Sequence, residues 1–146
     1  MPTMAAKDLY HEHVKTALEK DGWTITHDPY RLKWRGRRKM LIDLAAEKLL
    51  LAEKGTSKIA IEVKSFVRTS SLEDLYNAVG QFILYRKALR KTEPARDLYL
   101  AIRQEVYDEL FDDPNEDSLV LEDGIKVIVF APETMEIVLW IPPITN

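Results

Sequence analysis

The 146-residue sequence contains no cysteine, which excludes a disulfide framework, a thiol nucleophile and a thiolate zinc site. A bound metal would have to be held by carboxylate or carbonyl oxygens or by imidazole nitrogens, and this favours hard cations. Long apolar runs are also missing, since none approaches the roughly 20 residues needed to span a bilayer, and no signal-peptide pattern opens the chain. We therefore expect a soluble cytoplasmic protein without a membrane partner.

The chain has no excess of basic residues either. Its 21 basic and 24 acidic side chains give a formal charge of −3, whereas proteins that bind phosphate backbones usually carry a positive excess. Low-complexity tracts are absent and 46% of the residues are hydrophobic, so disorder is not expected. The length fits one core, and residues 1–146 are predicted to form a single domain.

The predicted elements follow a mixed α/β order. Helical spacing and strand patterns predict a helix, three strands, a long helix, a strand, a short helix and a closing strand pair. Ser70 and Ser71 are candidate caps of the long helix, which ends before Pro94. The other helices are predicted at 5–20 and 104–111, and the strands at 23–26, 40–45, 59–66, 98–102, 126–130 and 136–141. Segment 46–54 fits helix or strand. The fold class is therefore α/β with one central sheet.

One stretch is strongly cationic, because six of the nine residues from position 31 to position 39 are basic. They are Arg31, Lys33, Arg35, Arg37, Arg38 and Lys39. Like charges this close repel one another unless an anion is near, so the stretch is interpreted as a hairpin tip or loop that contacts a phosphate backbone. The alternative is a solvated loop that balances the acidic remainder of the chain.

The strand predicted at 59–66 carries two opposite charges on one face, because period-2 alternation places Glu62 and Lys64 on the same side. An isolated pair of this kind is typical of a solvated strand face. Asp43 changes the interpretation, since it lies within an apolar run where an uncompensated carboxylate would cost several kcal/mol. It therefore needs a cation, and an upstream arginine is one alternative.

If the strands that carry Asp43 and Glu62 are neighbours, the two carboxylates converge on one site. Together with a main-chain carbonyl and waters they form an oxygen cage that suits Mg²⁺ or Mn²⁺. Lys64 is then placed to orient or deprotonate an attacking water and to stabilise charge on a phosphoryl oxygen. Gln81 and Tyr85, four residues apart, share one face of the long helix, which by itself is usual for a helix surface.

The order of these motifs resembles a known superfamily. This series of motifs is similar to the core of the PD-(D/E)XK nucleases in their RecB-like form. It consists of Asp43, then Glu62-Val63-Lys64, and then Gln81 and Tyr85 on the following helix. The whole chain resembles the cyanobacterial XisH family, described as fdxN element excision controlling factors. The runs that carry this resemblance are 6–11, 20–29, 60–66, 79–86 and 138–142, so it extends over nearly the full length.

The resemblance implies a restriction-endonuclease-like fold, with a mixed central sheet flanked by helices. It implies a role in site-directed DNA rearrangement, alongside a site-specific recombinase and an XisI-like partner. The metal ligands it implies are Asp43, Glu62 and the backbone carbonyl of Val63, and the catalytic lysine is Lys64. Gln81 and Tyr85 would support the site or contact DNA, and Glu12 is the candidate for a further acid on the first helix.

Two functions follow from these observations. The first is a divalent-metal-dependent DNA endonuclease that cleaves or processes phosphodiester bonds. The second is a non-catalytic adaptor that keeps the nuclease fold and controls a recombinase through protein or DNA binding, which the acidic net charge favours. Because nucleases of this superfamily often act as dimers, a homo-oligomer is expected. Binding to free DNA should be weak and strongly salt-dependent.

The three histidines are interpreted as ordinary polar residues. His11 and His13 lie two apart on a predicted helix and so point to different sides, which is unsuitable for joint metal ligation. His27 directly precedes a predicted turn. The sequence therefore assigns none of them a role.

Overall fold

Six strands of this protein form one mixed sheet, with helices packed on both faces. The structure, a computed structural model, describes residues 9–34, 38–50, 55–66, 71–111 and 124–143. Its helices are α1 (His11–Lys20), α2 (Leu72–Thr92) and α3 (Gln104–Val106), which continues into a π-helical turn, Tyr107–Phe111. Its strands are β1 (Thr24–His27), β2 (Tyr30–Trp34), β3 (Arg38–Ile42), β4 (Leu44–Leu50), β5 (Gly55–Val63), β6 (Arg96–Arg103), β7 (Val127–Ala131) and β8 (Glu136–Ile141).

The strand order of the sheet is β1-β4-β5-β6-β7-β8, and β2 and β3 form a separate two-stranded hairpin. Strand β5 pairs antiparallel with β4 and parallel with β6, which in turn pairs parallel with β7. The predicted closing strand pair is confirmed, because β7 and β8 pair antiparallel. The mixed α/β class is therefore confirmed, with β5 in the interior of the sheet.

The alternation predicted for β5 is confirmed by the two hydrophobic clusters. Ile59, Ile61 and Val63 pack in one cluster with the α1 residues Val14 and Leu18. Ala60, on the other side of the strand, packs in the second cluster, which contains the α2 residues Phe82 and Leu89. The face that carries Glu62 is therefore directed toward α2, and the opposite face toward α1.

Local signals set the ends of the helices. The chain leaves α1 at Gly22, whose φ of +92° belongs to the left-handed region that glycine adopts most readily. Ser71 caps α2, since its side-chain oxygen accepts a hydrogen bond from the backbone N–H of Asp74 at 3.2 Å. Ser70, the other candidate cap, lies outside the described residues. Within the described segments, no helix has the length and hydrophobicity of a membrane-spanning helix.

Within its described residues, the segment between α1 and α2 contains five strands where three were predicted. The run 40–45 is not one strand, because Asp43 forms a bend between β3 and β4, which belong to different sheets. At that position the Asp43 carboxylate accepts a hydrogen bond from the Val63 backbone N–H, and the Asp43 backbone N–H donates one to the Glu62 carboxylate. The ambiguous segment 46–54 is strand as far as Leu50, because β4 pairs with β1 on one side and β5 on the other.

The basic stretch is a hairpin. Strands β2 and β3 pair antiparallel from Tyr30 opposite Ile42 to Trp34 opposite Arg38, and the connecting residues 35–37 lie outside the described part of the chain. Leu32 and Ile42 anchor the hairpin, since both are buried in the cluster that contains Phe82. The end of β3 therefore leads directly into Asp43.

Candidate active site

Asp43 and Glu62 are brought together by the pairing of β4 with β5. Leu44, the residue after Asp43, lies opposite Ile61. The Oδ2 atom of Asp43 accepts a hydrogen bond from the backbone N–H of Val63 at 2.8 Å, and Oε1 of Glu62 accepts one from the N–H of Asp43 at 3.3 Å. The condition on which the sequence prediction depended, that the two strands are neighbours, is therefore met.

Glu62 is buried rather than solvated, with 5% of its surface exposed. Lys64 lies against it, with Nζ 3.4 Å from Oε2 of Glu62. Burial, reinforced by the charge of Asp43, raises the pKa of Glu62 from 4.5 to about 8, although Lys64 acts in the opposite direction. A cation that binds beside the two carboxylates would therefore favour the ionised form of Glu62.

Tyr85 approaches these carboxylates from α2. It is half-buried, and burial, followed by the charges of Glu62 and Asp43, raises the pKa of its phenol to about 12. The hydroxyl therefore stays protonated at neutral pH and available as a donor. Gln81, one turn earlier on the same helix, is exposed. Of the two helix residues predicted to support the site, Tyr85 therefore lies near the carboxylates and Gln81 faces solvent.

His11 is the residue of this site that the sequence reasoning missed. It is 3% exposed at the start of α1, and its Nε2 lies 2.7 Å from Oδ1 of Asp28. Its Nδ1 is buried without a hydrogen-bond partner and lies 4.0 Å from Oδ1 of Asp43. The available signal was its spacing, since His11, Val14 and Leu18 form one buried stripe of α1.

The other two histidines do not reach this position. His13 is half-buried and packs edge-on against Tyr10, with ring centroids 5.2 Å apart. His27 is exposed and packs edge-on against Tyr30, with centroids 4.8 Å apart. Because helix geometry sends residues two apart to different sides, only one histidine of the α1 pair faces the carboxylates.

Asp28 and Lys15 extend the charged network beyond His11. Nζ of Lys15 lies 3.0 Å from Oδ2 of Asp28. Although burial acts to raise it, the hydrogen bonds from Lys15 and His11 hold the pKa of Asp28 below its usual range, and the bond to Asp28 raises the pKa of Lys15. Glu12 belongs to the same region, because His11, Glu12 and Asp28 offer donor atoms within 4.8 Å of one another.

The predicted DNA-contacting residues are only partly described. Arg31 and Lys33 are exposed on β2. Arg35 and Arg37 lie outside the described residues, and for Arg38 and Lys39 the structure describes only the backbone, which belongs to β3. The described part of the stretch therefore places two exposed cations on a hairpin that ends at Asp43.

Arg103 was also not predicted from the sequence. It is buried at the end of β6, and its guanidinium donates a hydrogen bond to the backbone carbonyl of Ser65. The same guanidinium lies 5.4 Å from the ring centroid of Tyr10. Arg103 therefore ties the residue that follows Lys64 to the neighbouring strand.

The donor set of this site suits a hard divalent cation. Asp43 contacts Glu62 through its backbone N–H and lies near the imidazole of His11 through its carboxylate, and such oxygen and nitrogen donors can bind these ions. Among the described residues, the three groups whose donor atoms all lie within 4.8 Å of one another are those of His11, Glu12 and Asp28. The 4.0 Å between Nδ1 of His11 and Oδ1 of Asp43 is too long for a hydrogen bond. Two adjacent ligand atoms that each lie roughly 2.1 Å from one ion are separated by roughly 3.0–3.4 Å, so Nδ1 and Oδ1 would have to move closer by about 0.6–1 Å to share an ion.

Comparison with known proteins gives one family. The family model described as XisH protein matches residues 4–138. No protein with a curated description matches the chain.

Two crystal structures resemble this fold over almost its full length. An fdxN element excision controlling factor protein from Anabaena variabilis is 43% identical, with 92% of this chain and 99% of that chain covered and a TM-score of 0.78. An XisH family protein from Nostoc punctiforme PCC 73102 is 41% identical, with 91% and 98% covered and a TM-score of 0.76. With the family match over residues 4–138, these similarities lead to one conclusion: the chain belongs to the XisH family.

Proposed function

We propose that this protein is a divalent-metal-dependent DNA endonuclease with a restriction-endonuclease-like fold of the PD-(D/E)XK type, which acts in the excision of a DNA element. One observation carries the proposal: Glu62 is buried between the Asp43 backbone N–H and the Lys64 ammonium. Burial of Glu62 beside the charge of Asp43 disfavours its ionised form, and a bound cation would offset this cost. Perturbed groups of this kind cluster at functional sites.

The residues present fit Mg²⁺ or Mn²⁺. Asp43, Glu62, the carbonyl of Val63 and Nδ1 of His11 would hold the ion. Glu12, which has a donor atom within 4.8 Å of those of His11 and Asp28, is a further candidate. The imidazole makes Mn²⁺ the better match, since manganese accepts nitrogen ligands more readily than magnesium does. When bound, the ion would supply positive charge that polarises the scissile phosphoryl group.

The protein's own side chains supply the remaining chemistry. The Lys64 ammonium orients the attacking water and neutralises charge on a non-bridging phosphoryl oxygen. The Tyr85 hydroxyl, protonated because of its raised pKa, donates a hydrogen bond toward the carboxylates or the phosphate. Hydrolysis joins the water oxygen to phosphorus, breaks one P–O bond and transfers a proton to the leaving alkoxide.

The basic hairpin would hold the DNA backbone. Arg31 and Lys33 are exposed on β2, and the stretch also contains Arg35, Arg37, Arg38 and Lys39. Gln81, exposed on the same helix face as Tyr85, is a further candidate contact. Because phosphate contacts release counterions, binding should weaken steeply with salt, and the net charge of −3 makes tight binding without a partner unfavourable.

Incubation with DNA and Mg²⁺ or Mn²⁺ tests the proposal directly. We expect the unmodified protein to cleave DNA and a Glu62→Ala variant to lose at least about 10²-fold in rate, because a ligand and a neighbour of the catalytic lysine are both removed. Glu133→Ala, in the exposed turn between β7 and β8, is the matched control. If the unmodified protein leaves linear, supercoiled and single-stranded DNA intact with either metal, catalysis is contradicted.

A non-catalytic adaptor is the second candidate, favoured by the acidic net charge and by the Anabaena variabilis relative, which is an excision controlling factor. In this role the protein would act on a site-specific recombinase or an XisI-like partner, and a homo-oligomer is proposed for either role.

Manganese titration separates the two functions. A metal site predicts a stabilisation of about 2.7 kcal/mol at 100 times Kd, or a Tm rise of roughly 5–10 °C. An adaptor without a metal site predicts no shift.

A further inference from the structure

We propose that Asp28, held in place by Lys15, is a positioning residue that fixes the tautomer and ring orientation of His11, so that Nδ1 keeps its lone pair directed at Asp43. The inference rests on the proposed function, in which His11 is a metal ligand, and it names the group that prepares this ligand. Asp28 would touch neither the ion nor the DNA. Its effect would be exerted through His11 alone.

The tautomer follows from hydrogen-bond chemistry. Nε2 of His11 lies 2.7 Å from Oδ1 of Asp28, and an ionised carboxylate only accepts hydrogen bonds. Nε2 must therefore carry the proton. A neutral imidazole has a single N–H, so Nδ1 is left with its lone pair. Carboxylates that bond the distal nitrogen of a metal-binding histidine orient ligands in this way.

The position of Nδ1 is given by the geometry of His11. Nδ1 is buried, has no hydrogen-bond partner and lies 4.0 Å from Oδ1 of Asp43. In the tautomer set by Asp28, its lone pair is therefore available to an ion bound beside Asp43.

Lys15 orients the Asp28 carboxylate. His11 and Lys15 lie four residues apart on α1 and so share one helix face, and Asp28 reaches both from the turn that follows β1. Nζ of Lys15 is 3.0 Å from Oδ2, which leaves Oδ1 for His11. Each carboxylate oxygen therefore has its own donor.

This arrangement predicts an opposite tautomer in Asp28→Asn. Lys15 can only donate, so the asparagine turns its carbonyl oxygen toward Lys15 and its amide NH₂ toward Nε2 of His11. Nε2 must then accept, and the ring proton moves to Nδ1, where it faces Asp43 and blocks the metal. We expect Mn²⁺ affinity to fall by about 10- to 100-fold.

The Lys15→Met/Asp28→Asn double variant is the decisive control. Without Lys15 the asparagine is free to turn its carbonyl oxygen toward His11, and both the original tautomer and most of the Mn²⁺ affinity should return. A merely structural role for the Lys15–Asp28 ion pair predicts no such recovery, because the second substitution removes a further contact. Lys15→Met alone should keep the original tautomer.

Long-range ¹H–¹⁵N NMR of the metal-free proteins reads the tautomer, with His11 identified by the signals that persist in His13→Gln and His27→Gln variants. Protonation at Nε2 in the unmodified protein, at Nδ1 in Asp28→Asn, and at Nε2 again in the double variant supports the inference. Protonation at Nδ1 or at both nitrogens in the unmodified protein, or no change in Asp28→Asn, overturns it. Because this measurement needs no metal, a failure to bind Mn²⁺ or cleave DNA would count against the proposed function alone.

Discussion

Lys64→Met should lose DNA cleavage by on the order of 10³-fold and change Mn²⁺ affinity by less than about tenfold. The reason is the proposed role of its ammonium, which lies 3.4 Å from Oε2 of Glu62 and would act on water and phosphate without being a metal ligand. Methionine keeps the apolar part of the side chain and removes only the charge. Single-turnover cleavage at saturating Mn²⁺, together with calorimetric Mn²⁺ titration, measures the two effects separately.

Lys58→Met is the matched control. Lys58 lies on the same strand as Glu62 and pairs with Glu93 at 3.9 Å, away from the carboxylates of the site. It should retain cleavage within a few-fold, because only a partly exposed ion pair is lost. Full activity in Lys64→Met, or equal losses in the two lysine variants, would contradict the role assigned to Lys64.

Metal-free protein should lose stability as the pH rises, and Glu62→Gln should remove this dependence. The pKa of Glu62 rises from 4.5 to about 8 on folding, so between these values the folded state binds more protons than the unfolded state. The contribution of Glu62 to the free energy of unfolding is therefore fully present below pH 4.5 and is lost as the pH rises through 8. At about 1.4 kcal/mol per pKa unit, the loss relative to Glu62→Gln between pH 5 and pH 9 is roughly 3–5 kcal/mol.

Urea denaturation in EDTA at several pH values measures this difference. Glu133→Gln, in the exposed turn before β8, should follow the unmodified protein at every pH. Parallel pH profiles for Glu62→Gln and the unmodified protein would show that Glu62 is ionised in the metal-free fold. In that case the burial of Glu62 would not be the reason for a metal requirement.

Several features could be predicted from the sequence because they depend on neighbouring residues only. Alternation along β5 placed Glu62 and Lys64 together, and the structure confirms the pair at 3.4 Å. The long helix was predicted from its cap, and Ser71 makes the expected hydrogen bond to Asp74. The restriction-endonuclease-like assignment, the metal and the DNA contacts remain predictions.

Other features depend on how distant segments pack. Asp43 was expected within a strand, yet its bonds to Val63 and Glu62 bend the chain there and divide β3 from β4. Local propensity contains no information on these partners, which lie 20 and 19 residues away. The same bend allows the basic stretch, which was expected to be a hairpin tip or loop, to form the separate β2–β3 hairpin.

His11 shows most clearly what local patterns cannot provide. Its position on the buried stripe of α1 was readable, but its partners were not, because Asp28 reaches it only when β1 and the following turn fold back beside α1. The same distinction holds for Glu62. Its position on the strand face could be predicted from neighbouring residues, whereas its raised pKa arises from burial and from the charge of Asp43.

The sequence by itself determined which residue types are available, which of them share a strand or helix face, and the family to which the chain belongs. Only the tertiary structure decided that Asp43 and Lys64 lie beside Glu62. It also decided that His11 lies 4.0 Å from Asp43 and contacts Asp28, which pairs with Lys15. The physical reason is range. Alternation, capping and helix spacing act within a few residues, whereas burial and electrostatic coupling require segments that only folding brings into contact.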